Sequence, residues 1–192
     1  MLSLASASVG FSVMGAAPVG RQIQVQMATI ADTLASMEGP DMYWEEKGPL
    51  QDPPKEESDF KEFDKYDTFL KACADNGVDL TQADITVFAP ANEPCRQFMS
   101  TGGKMDKSFC NYHIVEGKVP SSALSSDALK TKDGGSLTYR RKFRKDFVDD
   151  AFTDVKNGPP RTSYKANIAC DNGLIHMINE CLVPGWSASD WS

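Results

Sequence analysis

The chain has 192 residues, of which 41% are hydrophobic and 24% are charged, proportions that exclude collagenous, wholly disordered and multi-span membrane proteins. The length suits one ordinary domain with extensions. Twenty Lys and Arg against 27 Asp and Glu give a net charge of -7, which repels phosphate backbones and excludes nucleic acid as an expected partner.

The first 27 residues differ in composition from the rest of the chain. They contain no Asp or Glu, a single cation at Arg21 and four serines. A secretory signal would begin with positive charge and continue with an uninterrupted apolar run. Residues 1–27 instead resemble a plastid transit peptide of the red algal type, with Phe11 near the start, and we expect cleavage near Met27. The implied location is the chloroplast stroma, in association with thylakoids; an N-terminus without targeting function is the alternative.

Residues 28–60 are predicted to form an extended acidic linker arm. Eleven acidic residues and three lysines lie between Asp32 and Asp64, and three Gly-Pro or Pro-Pro pairs in this stretch prevent a long helix. Tyr43 and Trp44 form an aromatic pair within the arm and are candidate docking residues that fold on binding. The alternative is that Trp44 packs back on its own domain.

The first half of the domain is predicted to contain mainly helices. Apolar residues recur at helical spacing from Phe60 to Leu80, with Asn76-Gly77 as the C-cap. Residues 84–89 are rich in β-branched and aromatic side chains, which predicts a strand that ends at Pro90. A helix is predicted from Cys95 to Met99.

Strands are predicted for the second half, at 136–139, 164–169 and 174–178, separated by glycine-rich turns. Helices followed mainly by strands indicate an α+β fold. No stretch approaches the roughly 18 uninterrupted apolar residues of a membrane span.

Three stretches in this order resemble the fasciclin-like domain: 86–92 (TVFAPAN), 111–117 (NYHIVEG) and 172–179 (NGLIHMIN). The resemblance implies a single domain over residues 61–184, a wedge of β-strands wrapped by helices, followed by a tail at 185–192. Ala91 and Asn179 stand where the family usually has Thr and Asp, and the segment 146–161 is longer than in the family. The structural motif residues are Thr86, Phe88, Pro90, Asn92, Tyr112, His113, Asn172, Gly173 and His176.

Physical reasons accompany several of these motif positions. Pro90 lacks a backbone donor and ends a strand, and Asn92 can cap the following helix with its side-chain oxygen. Asn172-Gly173 would supply the positive φ of a tight hairpin. The family resemblance implies that His113 has a structural role, and we expect a neutral imidazole with both ring nitrogens bonded.

No enzyme motif is present, so a non-catalytic protein is predicted. The five cysteines are odd in number and form no C-x-x-C pair, which favours buried free thiols over a zinc or disulfide framework. No metal site is expected, because His113 and His176 lie in separate elements. No cofactor is predicted, although a bilin linked to a cysteine is an alternative that requires an exposed, reactive thiol.

The strongest local feature is a run of five cations around one aromatic residue: Arg140, Arg141, Lys142, Phe143, Arg144 and Lys145. Guanidinium groups pair with carboxylates, and a central Phe adds apolar contact, so the run is a candidate binding site for an acidic protein. The alternative is a solvated hairpin edge whose charges prevent strand-to-strand aggregation.

Together, the N-terminal segment and the domain resemble a plastid-targeted phycobilisome linker of red algae. This resemblance implies a scaffold in a light-harvesting antenna, with acidic phycobiliproteins or other antenna and linker subunits as partners. Two alternatives remain open at this point. One is a secreted or lumenal adhesion protein of the fasciclin type, in which a disulfide is expected, and the other is a bilin-carrying subunit.

Overall fold

The computed structural model describes residues 28–43, 61–143, 145–153 and 164–185. The predicted transit peptide, Trp44 and most of the C-terminal tail lie outside these residues. The helices are α1 (Ile30–Ser36), α2 (Asp67–Asp75), α3 (Asn92–Ser100) and α4 (Lys107–Tyr112). The strands are β1 (Asp41–Tyr43), β2 (Lys61–Phe63), β3 (Ile85–Pro90), β4 (Ile114–Glu116), β5 (Tyr139–Lys142), β6 (Lys145–Val148), β7 (Ala151–Thr153), β8 (Ile168–Cys170) and β9 (Gly173–Ile178).

A four-stranded sheet in the order β4-β3-β9-β8 forms the centre of the molecule. The neighbours β3 and β9 are parallel, with Ile85 beside Gly173 and Pro90 beside Ile178. All six residues of β3 are buried, as expected for a strand covered on both faces. A second, antiparallel sheet has the order β5-β6-β7, and β1 pairs with β2. The α+β prediction is confirmed.

Two apolar clusters form the core. The larger one joins the four helices to β3, β8 and β9, and includes Phe69, Val87, Phe109 and Ile175. The smaller one joins the central sheet to the second sheet through residues such as Phe88, Leu137, Val148 and Ile178. The second sheet is therefore packed against the core of the domain through its inner face.

The prediction of an extended arm at 28–60 is wrong for residues 28–43, which contain a helix. Thr29 and Asp32 form a capping box at the start of α1, and Ile30 and Leu34 are buried in the larger apolar cluster. Gly39-Pro40 excludes a long helix but leaves room for one of seven residues. Burial of two large aliphatic side chains makes this short helix part of the domain.

Several element boundaries also differ from the predictions. Residues 61–63 form β2, and the helix predicted from Phe60 begins only at Asp67. The strands predicted at 136–139 and 164–169 begin at Tyr139 and Ile168. Asn76 is the C-cap of α2 and Gly77 has φ +65°, as predicted.

Candidate functional site

The cationic run lies at the end of the β5–β6 hairpin. The two strands pair from Tyr139 opposite Val148 to Lys142 opposite Lys145. Phe143 follows at the turn with φ +52°, in the left-handed region that large side chains rarely adopt. Its side chain is 81% exposed, more than any other large hydrophobic side chain in the described part of the chain. Arg144 lies outside the described residues.

The described cations of the hairpin lie over aromatic rings or beside a carboxylate. The Arg140 guanidinium is 5.2 Å from the centre of the Phe147 ring, and the Lys145 Nζ is 4.1 Å from that of Phe152. Both distances fall in the range of cation–π attraction. The Lys142 Nζ is 5.2 Å from the centre of the Phe143 ring.

Arg141 lies beside a buried carboxylate. Its Nη1 is 3.4 Å from Asp146 Oδ1, and the Asp146 side chain is only 2% exposed. The same oxygen accepts a 2.9 Å hydrogen bond from the Tyr139 hydroxyl. A half-exposed guanidinium with one buried partner keeps donors available to a second carboxylate.

The base of the hairpin is fixed by a second buried acid. Asp149 accepts from the Thr138 amide at 2.8 Å and from the Tyr112 hydroxyl at 3.2 Å. Burial raises the pKa of the Asp149 carboxyl. The Phe152 amide donates to Asn179 Oδ1 at 2.7 Å, which ties β7 to the segment after β9. The exposed turn of the hairpin therefore belongs to a sheet that is hydrogen-bonded to the rest of the domain.

Two motif side chains link the central sheet to the loop after β4. Thr86 Oγ1 donates to the Gly117 carbonyl at 2.6 Å and accepts from the Val119 amide at 2.9 Å. The His176 Nε2 lies 2.9 Å from the Val119 carbonyl, and its ring stacks on Phe88 with centroids 5.2 Å apart. These residues build the fold and take no part in the exposed surface.

His113 is fully buried between α4 and the segment after β9. Its Nδ1 is 2.8 Å from the Phe109 carbonyl and its Nε2 is 2.9 Å from the Leu182 amide. A carbonyl requires a protonated nitrogen and an amide requires an unprotonated one, so both contacts are satisfied by one neutral tautomer. Burial lowers the pKa of His113 to about 4. The described residues contain no cluster of His, Cys, Asp and Glu that could hold a metal ion.

Asn92 does not cap the helix that it begins. The N-cap of α3 is Ala91, without a side-chain bond, whereas Asn92 Oδ1 accepts from the Thr68 amide at 2.8 Å and so caps α2. The prediction assigned the right chemistry to the wrong helix. Since Thr68 lies 24 residues earlier in the chain, sequence spacing gave no indication of this contact.

The predicted role of Asn172-Gly173 is also corrected. Gly173 is the first residue of β9 and does not have a positive φ. A Cβ at this position would lie 1.9 Å from the Ile85 carbonyl oxygen, so glycine is required by the close approach of β3. Asn172 acts as a bridge, because its Oδ1 accepts from the Ile30 amide at 2.9 Å and its Nδ2 donates to the Leu80 carbonyl at 2.7 Å.

The remaining candidates are Tyr43 and the cysteines. Tyr43 ends β1 and pairs with Lys61 of β2. All five cysteines are buried and free. A bilin bound through sulfur would therefore have to displace part of the core around it.

Three residues that hold the cations in place were not predicted from the sequence: Asp146, Phe147 and Phe152. In β6, Asp146 and Val148 are buried and Lys145 and Phe147 are half-buried. This is the alternating burial of a strand. The hydrophobic pattern of the sequence does not indicate it, because the buried side of β6 carries an acid and the more exposed side carries an aromatic residue.

The sequence of this chain also matches the model of a protein family. The fasciclin domain model matches residues 63–184, which is more than half of the chain, and the chain belongs to the fasciclin domain family. Fasciclin domains serve in general as non-catalytic modules of adhesion and protein association. No described helix has the length and apolar character needed to cross a membrane.

The chain is also similar to two individual proteins. Protein sll1483 of Synechocystis sp. is 26% identical over 112 residues, which cover 54% of this chain and 57% of that protein. The chain thus matches little more than half of this curated relative. A solved structure of a FAS1 domain pair from the insect cell adhesion molecule Fasciclin I has a TM-score of 0.42 and 18% identity, over 60% of this chain and 44% of that one.

Proposed function

We propose that this protein is a non-catalytic association module that docks on an acidic protein partner through the tip of the β5–β6 hairpin. The observation that carries this proposal is Phe143, a large apolar side chain that is 81% exposed at a turn with φ +52°. An exposed aromatic residue surrounded by cations has the composition of an interface anchor.

The backbone conformation of Phe143 argues against a purely structural role. A non-glycine residue in the left-handed region costs about 1–2 kcal/mol relative to its ordinary conformation. The exposed ring gains little burial in return. Glycine would relieve the strain without loss of packing, so the side chain is best explained by a contact that it makes with another molecule.

The neighbouring cations support an acidic partner. Arg141 is oriented by Asp146, and the Lys142 Nζ lies over the Phe143 ring. Side chains that already have a preferred orientation lose less conformational entropy on binding. They can therefore form charge-assisted bonds to carboxylates around a central apolar contact.

Protection of a sheet edge is the competing explanation of the charges. β5 is an outer strand in the order β5-β6-β7, and exposed cations on such a strand discourage pairing with another chain. This explanation accounts for Arg140 to Lys142 but gives no reason for an exposed aromatic residue at the turn.

The finer proposal is that the partner is an acidic phycobiliprotein, or another antenna or linker subunit, in a phycobilisome attached to thylakoids in the plastid stroma. It rests on the resemblance of residues 1–27 to a transit peptide and of the whole chain to fasciclin-containing linkers. A linker needs a folded domain that fixes position and a second contact that raises effective concentration. Tyr43 and Trp44 are the proposed second contact.

The experiment is co-sedimentation with isolated phycobilisomes. The test variant combines Lys142→Glu with Phe143→Gly, and the matched control combines Lys104→Glu with Met99→Ala, a like change in charge and apolar surface at two other exposed residues. We expect a loss of binding of at least tenfold for the test variant only. Binding of the native chain should weaken as salt is raised, because exposed charges are screened.

Fractionation of the native complex tests the finer proposal separately. Comigration of the chain with intact phycobilisomes, with a mature N-terminus near Ala28, is expected. Recovery in an extracellular or cell-wall fraction contradicts the phycobilisome assignment. It does not test whether the hairpin is a binding surface. Equal binding by the test variant and the control contradicts the hairpin surface itself.

A secreted or lumenal adhesion protein is the second candidate function. It is favoured by one observation, the approach of Cys95 and Cys181 to 4.0 Å between sulfur atoms, since a disulfide persists in oxidising compartments. In that case the same hairpin would bind an acidic surface outside the stroma.

A further inference from the structure

Two buried cysteines lie side by side where α3 meets the segment that follows β9. The sulfur atoms of Cys95 and Cys181 are 4.0 Å apart, and the two residues are 86 positions apart in the sequence. Cys95 is completely buried and Cys181 is 6% exposed. Both belong to the larger apolar cluster.

The backbone on each side of the pair is anchored by side chains from elsewhere in the fold. Near Cys95, the Glu93 amide donates to Asp64 Oδ2 at 2.8 Å. Next to Cys181, the Leu182 amide donates to His113 Nε2 at 2.9 Å. The two thiols are therefore brought together by backbone segments that are hydrogen-bonded to the rest of the domain, and not by exposed side chains.

We propose that Cys95 and Cys181 form a disulfide that locks α3 to the C-terminal segment of the domain. A disulfide has sulfur atoms about 2.05 Å apart, so the sulfurs must approach by about 2 Å. The bond therefore requires rotation about the Cα–Cβ bonds and a small shift of the segment after β9. The inference does not depend on the hairpin surface, but a stable bond would favour the secreted or lumenal candidate over the stromal one, because disulfides persist in oxidising compartments.

The reaction is a thiol–disulfide exchange with a disulfide donor such as glutathione disulfide. The Cys181 thiolate attacks one sulfur of the donor, a mixed disulfide forms, and one glutathione thiolate leaves. The Cys95 thiolate then attacks the Cys181 sulfur and releases the second glutathione. In sum, the two protein thiols lose two electrons and two protons, and the donor is reduced to two thiols.

The folded state restricts the rate of this reaction. The hydrogen bond with Cys181, followed by burial, raises the pKa of the Cys95 thiol well above its usual range. Since the thiolate is the reactive form, the bond should close during folding, or when the segment after β9 opens locally.

The other cysteines provide internal comparisons. Cys73 and Cys110 interact with each other through their thiols and are the competing pair. Cys170 donates to Thr33 Oγ1 at 3.3 Å. Cys170→Ala is thus a control that removes a buried thiol without touching the proposed bond.

The test is to refold the full chain in a glutathione redox buffer, block free thiols and map the disulfide by mass spectrometry. The digest must cut at Asp as well as at Lys and Arg. Cleavage at Lys and Arg alone leaves Cys73 with Cys95 on one peptide and Cys170 with Cys181 on another, whereas Asp84 and Asp171 separate them.

We expect peptides joined through Cys95 and Cys181 in the native chain and in Cys170→Ala. Three thiols should remain free in the native chain and two in Cys170→Ala. The oxidised form should melt several degrees above the reduced form, since a bond across a long loop restricts the unfolded chain. In Cys181→Ala this oxidant-dependent increase should vanish.

A joined pair of Cys73 and Cys110 without the proposed bond would overturn the inference. So would five free thiols after refolding in excess glutathione disulfide. The decisive mapping uses the native chain, so it stands even where a cysteine variant fails to fold. None of these readouts involves a binding partner, so the disulfide and the hairpin surface can fail independently.

Discussion

The ring of His113 accepts a hydrogen bond from the backbone amide of Leu182, at 2.9 Å and across 69 residues of sequence. The opposite ring nitrogen is 2.8 Å from the Phe109 carbonyl. A protonated ring would present a donor to the Leu182 amide, which is itself a donor. The contact therefore makes the joint between α4 and the C-terminal segment sensitive to acid.

We predict that the free energy of unfolding falls by about 3 kcal/mol through His113 as the pH drops from 6.5 to 4. The folded pKa of His113 is about 4, below the ordinary value of 6.5, so in this range the unfolded chain binds a proton that the folded chain does not. The contribution is fully present above pH 6.5. Denaturant unfolding at a series of pH values measures it.

A His113→Gln variant isolates this contribution. Burial raises the pKa of Asp149, Asp150 and Glu180, and these groups act in the opposite direction, since a raised acid pKa stabilises the folded state as pH falls. The variant keeps them and loses only the His113 slope. Titration of the His113 ring near pH 6.5 in the folded protein, followed by NMR, would contradict the prediction.

Phe143→Gly should raise the free energy of unfolding by about 1 kcal/mol, because glycine adopts φ +52° without steric cost. Phe143→Ala should leave stability within about 0.5 kcal/mol, since it keeps the strain and removes an exposed ring. Urea unfolding of the three proteins provides the comparison. A marked loss of stability in either variant would show that the ring packs on its own domain.

Asn92→Ala should lower stability by about 1 kcal/mol through loss of the cap on α2. Asn92→Asp keeps an acceptor for the Thr68 amide at the positive end of the helix dipole and should restore it. Hydrogen exchange of the Thr68 amide reports the bond directly. Equal protection of this amide in all three proteins would exclude the cap.

Gly173→Ala should destabilise the protein by about 3 kcal/mol or more, because the new Cβ would collide with the Ile85 carbonyl in the central parallel pair. Gly77→Ala is the matched control. No atom lies within 4 Å of a Cβ at Gly77, and only its φ of +65° opposes the change, so a loss of about 1–2 kcal/mol is expected. Similar urea midpoints for the two variants would refute the close-approach argument.

The sequence alone determined the α+β class, the paths of β3 and β9 and the glycine C-cap of α2. Each of these depends on a residue and its near neighbours: a β-branched run that ends at Pro90, or Gly77 after the last turn of a helix. The cationic run was also visible in the sequence, and its role as a binding surface stays a prediction.

Tertiary structure decided which helix Asn92 caps, why Gly173 must be glycine and that Ile30 and Leu34 belong to the core. It also placed Cys95 beside Cys181 and put Asp146 beneath Arg141. These contacts join residues far apart in the chain, or opposite each other across a strand pair whose register is set by packing. Short-range patterns carry the local backbone preference, whereas the distance between remote side chains depends on how all the elements bury their apolar faces together.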